Sequence, residues 1–576
     1  MINIKNNLST VILMFMTFLL MICLGIMLNI KPGYTQNLEA DTPKLPFGEY
    51  LSGRHALYNN QYTEASEYYL KALKLDPENI ELNQSTISVL ISDGRFKDAL
   101  LIAKRLKKAD QEINISKLLL YFEMAKDGHY DAVVKATDQL DDTGILKVTK
   151  PIFRAWALAE QGKSSEVEAV IAAFGEGTNF NFFNYYHSAL LYDFMGNSVK
   201  AGEYYAKTLT EPGLLNLRVV EAYGNYLRRQ NKTLEAIEIY QEYLKKTPDN
   251  ERLKAALIEA NEGRLPKALV TNLNDGFAEI FYGISTILMQ DNIKPVAINF
   301  LQYALYFKDD FVLCHFLLAQ ILESDKYYIG AARQMEKISK DSPLYFQARL
   351  QRAWLYNDLD DDEATINALR KLEAEFPNNR EILNSIAEFY RIHARYKEAA
   401  TAYDMIINNL DQHNEADWLV YYTRGIVLDQ EKRWQEAQAD FLKALELKPE
   451  QPMVLNYLAY SWVDKGLNYS KAKKMLERAV ELKPNDGYII DSLGWALFKM
   501  GDNEQAVGVL ERAALLQTQD WAINDHLGDA YWIVGRKNEA RFQWRHALSL
   551  KPDEDKISGI KEKIKNGYTN INNKSN

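Results

Sequence analysis

The chain is almost without cysteine. Only two of its 576 residues are cysteine, and one of these, Cys23, falls inside an apolar N-terminal run. The rest of the chain holds the single thiol of Cys314 and forms no intrachain disulfide. An oxidising compartment is not excluded by this, because a large helical chain builds its core without covalent staples. Histidine is scarce as well. The eight histidines form no HExxH pattern and no pair at i, i+4, which excludes the helical two-histidine zinc motif. No nucleophile elbow or Ser-His-Asp order appears, although a triad assembled only in space leaves no such mark. A surplus of positive charge is also missing. The net charge is −10 without a Lys/Arg block, so a nucleic-acid phosphate backbone would be repelled on average. What the chain has in excess is aromatic residues, 12% of the total with 35 Tyr, which must either pack between elements or be displayed as contact surface. Hydrophobic content of 47% and charged content of 25% are those of folded protein.

Residues 11–28 read VILMFMTFLLMICLGIML and carry no charge, with Lys5 ahead and Lys31-Pro32 behind. The run suits a signal peptide or an uncleaved membrane anchor. The best small-residue cleavage site follows Ala40, with the large Leu38 three residues from the cut. Cys23 suggests lipidation, but Ile22 stands where that motif wants Gly, Ala or Ser. Each alternative exports the remaining chain, to the periplasm or to a membrane-anchored position facing it. Residues 1–30 are thus expected to be signal or anchor, and 31–45 a linker.

The body is periodic. DSLGWALFKMGDNEQA at 491–506 aligns without a gap on DHLGDAYWIVGRKNEA at 525–540. The alanine after the turn recurs at Ala540, Ala506, Ala472, Ala437, Ala399, Ala364, Ala331 and Ala297, then at Ala236, Ala201, Ala132, Ala99 and Ala65, with Val167 standing in once. This predicts roughly fourteen units over 46–553, each with two helical patterns around a short turn. Gly494 and Ala506 are small where two helices must cross closely, and Gly501 is free to take positive φ in the turn. Proline ends the second helix at Pro77, Pro248, Pro343, Pro377, Pro449, Pro484 and Pro552. Asn485, Asp486 and Asp553 follow two of these prolines and are placed to cap the next helix. One interval is longer. Residues 250–277 contain one helical piece, then Gly263, Pro266 and Asn274-Asp275-Gly276. Two sub-arrays are expected, 46–249 and 278–553, joined by an irregular connector at 250–277 and followed by a tail at 554–576.

With this period and these anchors the chain resembles the tetratricopeptide repeat family. The likeness is strongest over 417–553, where RGIVLDQEKRWQEAQADFLKALELKPE precedes the two aligned units. The C-terminal third also resembles envelope-associated repeat proteins of proteobacteria, which bears on location only. The resemblance implies an all-α, right-handed superhelical solenoid with the first helix of each unit on the concave side.

Two local motifs give way to simpler explanations. QGKSS at 161–165 lacks the first glycine of a phosphate loop, Ala157 standing in its place, and reads as an inter-helix turn. NDLDDDEA at 357–364 has Glu363 where a calcium loop needs glycine, and its carboxylates suit a helix start. No cofactor, metal or catalytic domain is expected. If the array binds, the candidate is a stripe on the first helices: Tyr422, Asn456, Tyr460, Asp491, Trp495, Phe498, Asp525, Asp529 and Trp532. This stripe is aromatic and acidic, and among its members only Asn456 suits clamping of a peptide carboxylate. It matches an apolar protein segment carrying Lys or Arg. The same positions also suit rings that merely pack between adjacent first helices. Two functions are carried forward: an interaction scaffold of the bacterial cell envelope, serving for instance as adaptor for an assembly machine or protease, and a structural spacer or oligomerisation component.

Overall fold

A computed structural model describes residues 46–140, 146–173, 181–210, 217–410 and 413–568. The expected signal or anchor at 1–30, with its apolar run 11–28, and the linker at 31–45 lie outside the described residues. Among those described, 30 α-helices and one 3-10 turn, Glu415–Asp417, form the protein, with no strand. No helix among them is long and apolar enough to cross a membrane.

The helices pair. Gly487–Met500 packs along Asn503–Leu516, and Trp521–Ile533 along Lys537–Ser549. Each pair turns through a residue with a left-handed backbone. Glycine supplies it at Gly94, Gly128, Gly162, Gly196, Gly466, Gly501 and Gly535. Elsewhere it is Asn60, Asn231, Asn292, Lys326, Asp360, Ala394 or Lys432. The backbone requirement is constant while the residue type is not, which is why the glycine anchor fades in parts of the sequence. Five residues beyond the turn lies a buried anchor of the second helix, such as Ala99, Ala201, Ala437 or Ala540. In two units the expected anchor slips by one place. Val133 and Thr365 are buried there, and Ala132 and Ala364 are not. The turn sets the register, and the residue that follows it by five faces the core in every pair except the one turning at Gly466, where Lys471 is exposed and Ala472, six residues on, is buried.

Close crossing has a counterpart sixteen residues on. A Cβ on Gly425 would lie 2.6 Å from Phe441, one on Gly494 2.6 Å from Leu510, and one on Gly528 2.5 Å from Trp544. A missing side chain on the first helix makes room for a bulky one on the second. Asp486 and Asp520 cap the helices that follow them by accepting backbone N–H bonds. Asp553 makes no such bond.

The described residues form two compact units, divided between Ala368 and Leu369. The expected connector at 250–277 lies inside the first. There Glu251–Asn261 is an unpaired helix, and the next helix, Leu273–Gln290, begins within the stretch expected to be irregular. That helix rests on the first helices Asn114–Lys126, Leu146–Glu160 and Asn181–Phe194, and Lys294–Phe307 rests on Ile80–Ser92. Phe122, Phe153, Phe277, Phe281 and Phe307 meet in one aromatic cluster, with centroids as close as 4.8 Å. Gln302 Nε2 donates to the Ser92 carbonyl at 3.0 Å. Glu279 accepts from Tyr186 at 3.1 Å and pairs with Arg218. The first-helix face of the early pairs is therefore filled by later helices of the same unit.

Candidate partner-binding surface

In the second unit the first helices Pro452–Asp464, Gly487–Met500 and Trp521–Ile533 lie side by side. Equivalent positions form rungs across them: Asn456, Asp491 and Asp525; Tyr460, Trp495 and Asp529; Val463, Phe498 and Trp532. Eight of the nine residues expected from the sequence stand on these rungs, Tyr422 being the exception, and they differ in what they do.

Asp491 is buried and accepts from His526 Nδ1 at 3.0 Å. His526 lies against Trp495 with centroids 4.1 Å apart and planes 18° apart, and Trp495 stacks in turn on Phe498 at 5.1 Å. Burial opposes a charge on His526, but Asp491, helped by Asp525 and Asp529, outweighs it and raises the imidazole pKa. His546, in the second helix of the same pair, has a separate partner: its Nε2 meets the Thr518 carbonyl at 3.1 Å.

Asp525 and Asp529 face Lys563, whose Nζ donates to them at 2.7 and 2.8 Å. Asp529 is 1% exposed and also accepts from Trp544 Nε1 at 2.9 Å. Burial and the neighbouring Asp525 raise its carboxyl to about 7, while Lys563 works the other way. Trp532 is half-buried against Trp544, centroids 5.5 Å apart, and Gly567 lies on its ring. Tyr568 meets Phe498 edge-on at 5.7 Å. The stretch expected as a tail thus contributes a helix, Glu554–Asn566, and touches the row through Lys563, Gly567 and Tyr568.

Three polar atoms on the row are buried with no hydrogen-bond partner: Asn456 Oδ1, Trp495 Nε1 and Asp525 Oδ1. Such atoms are uncommon in native folds, and here they lie on three successive first helices. Tyr460 is half-buried, and burial, with Asp464 and Asp491, raises its phenol to about 12. Tyr422 belongs to the packing. It is buried among Trp418, Phe441 and Tyr457 at 6.0 to 6.2 Å. Tyr192 and Tyr205 of the first unit are buried likewise, stacking on Tyr204 and Tyr223, each at 5.4 Å.

Lys563 and Tyr568 were not singled out from the sequence. A signal for both existed. The row asks for a cation beside apolar surface, and KISGIKEKIKNGYTN at 556–570 supplies both.

Family models described as tetratricopeptide repeat match residues 50–112, 347–379 and 418–451. A TPR repeat-containing protein of Pseudomonas aeruginosa is 29% identical over 100 residues, and the match spans 17% of this chain and 17% of that relative. Among solved structures, a tetratricopeptide repeat protein from Parabacteroides merdae is 16% identical, covers 44% of this chain and 99% of its own, and has a TM-score of 0.37. Yeast Tom70 is 14% identical, with 92% and 96% covered and a TM-score of 0.35. Helix pairs along most of the described body, with the family matched at three separate places, make this chain a tetratricopeptide-repeat protein.

Proposed function

We propose that the protein is a non-catalytic interaction scaffold of the bacterial cell envelope, holding a partner protein on the first-helix row of its second unit. Repeat arrays use such extended faces for binding. The observation that carries the assignment to this face is Lys563 between Asp525 and Asp529, with Tyr568 on Phe498. A cation and an aromatic ring are accommodated there together. The partner segment is accordingly basic and apolar, as the aromatic and acidic character of the row requires. Export rests on the uncharged run 11–28 behind Lys5, which serves as signal or anchor. Use as an adaptor for an assembly machine or protease would suit this arrangement.

The spacer function is favoured by one observation, the filled first-helix face of the first unit. That unit fits a structural role, leaving the second for binding.

The test is capture from a membrane extract on the full chain and on its Trp495→Ala variant. Proteins retained by the first and lost by the second bind at the row. Identical capture by both removes the row from the function. A reporter enzyme fused after residue 60 should work only outside the cytoplasm.

A further inference from the structure

We propose that the segment Lys563–Tyr568 is a built-in occupant of the partner-binding row, and that a partner displaces it with a segment of the same chemistry, a basic residue followed by an aromatic one. The proposal rests on the preceding reading that this row binds a partner.

The path of the chain is the first argument. Helix Glu554–Asn566 packs on Lys537–Ser549, where the first helix of a further pair would stand. At Gly567, with φ +86°, the backbone leaves the helix and lies on Trp532. Tyr568 then reaches Phe498, one first helix further back. The segment therefore crosses two successive first helices, as a bound peptide would. A helix that only closed the end of the array would cover apolar surface. Of its own apolar side chains this one buries only Ile560, and beside the Arg541 Nε bond to the Ile564 carbonyl at 3.3 Å its contacts onto the row are the ion pairs of Lys563.

The second argument is what the occupant leaves unsatisfied. Lys563 alone faces two carboxylates, and Asp525 Oδ1 keeps no partner. Beyond Tyr568 the row continues to Trp495 Nε1 and Asn456 Oδ1, both buried and unpartnered. A longer segment that brings a second donor to Asp525, an acceptor to Trp495 and a donor to Asn456 would satisfy groups that Lys563–Tyr568 leaves bare. The internal segment competes because it is tethered, at an effective concentration on the order of millimolar. The partner wins by satisfying more of the row.

The test uses the full chain and a peptide of its own residues 559–576, GIKEKIKNGYTNINNKSN, as the probe. Saturation-transfer NMR reads binding down to weak affinities. The wild-type chain should exclude the probe. The Lys563→Gln/Tyr568→Ala chain should bind it at least tenfold more tightly, and adding Asp525→Asn and Asp529→Asn should abolish that gain. Equal binding by wild-type and opened chains overturns the proposal. So does an opened chain that melts far below wild type and takes no probe, because the segment is then an end cap. Failure here is distinguishable from failure of the binding surface. If extract proteins still depend on Trp495, the row binds partners and only self-occupancy falls. If they do not, the row itself is wrong.

Discussion

Asp491 and His526 join two neighbouring first helices through a hydrogen bond of 3.0 Å. The pair is screened from solvent, and Trp495 covers one face of the imidazole. Its stabilisation is complete below the unfolded-state pKa of His, about 6.5, and fades as pH climbs through the raised folded value. Besides Asp491, the charged groups nearby are Asp525 and Asp529 on the same helix and Lys563 from the C-terminal helix. Asp491→Asn should move the His526 titration to lower pH, read from its ring-proton NMR shifts, and cost about 1.5–3 kcal/mol at pH 6. An unmoved titration would show that Asp491 does not hold the charge.

Glycine at the crossing gives a second prediction. Gly528→Ala places a methyl 2.5 Å from the Trp544 ring, which is fully buried and held by Asp529. The ring has nowhere to go, and the expected loss is about 1–3 kcal/mol in urea unfolding. Gly508→Ala is the control. Nothing lies within 4 Å of its new methyl, and the helix should gain up to about 1 kcal/mol. Equal effects at the two sites would refute the packing account.

In the first unit, Glu279 is 3% exposed and faces Arg218 and Tyr186. Glu279→Ala removes the closest carboxylate from the Arg218 guanidinium, which keeps Glu221 at 3.4 Å, and unfolding should register a loss of about 3 kcal/mol. Replacing the pair together, as Glu279→Leu/Arg218→Met, should recover most of it. A double variant as unstable as the single one would mean that the loss comes from packing and not from the lost ion pair.

His187 is fully buried, 4.4 Å from Phe183 between centroids, with neither ring nitrogen partnered. Burial lowers its pKa to about 3. The unfolded chain therefore binds a proton that the folded one refuses between about pH 6.5 and 3. Stability of the first unit should fall by up to about 1.4 kcal/mol for each pH unit lost across that range. In His187→Leu this part of the slope should vanish. If the difference between the two proteins does not change with pH, the imidazole is not held neutral.

The repeat was legible in the sequence because a helix pair closes its contacts within one period. Gly494 and Leu510, or Gly528 and Trp544, lie sixteen residues apart, and the turn between them asks only for a left-handed residue. Period, helical class and the positions of the small residues follow from that locality. The row Asn456, Asp491, Asp525 could be aligned for the same reason. What covers a helix face is a different matter. Apolar spacing marks a face as buried without naming its cover, since burial is non-directional. The return of Leu273–Gln290 onto Leu146–Glu160, the bond from Ser92 to Asn299, and Lys563 between Asp525 and Asp529 were decided only in three dimensions. Those contacts join residues a period or more apart, and they depend on where the unpaired helices Glu251–Asn261 and Glu554–Asn566 send the chain.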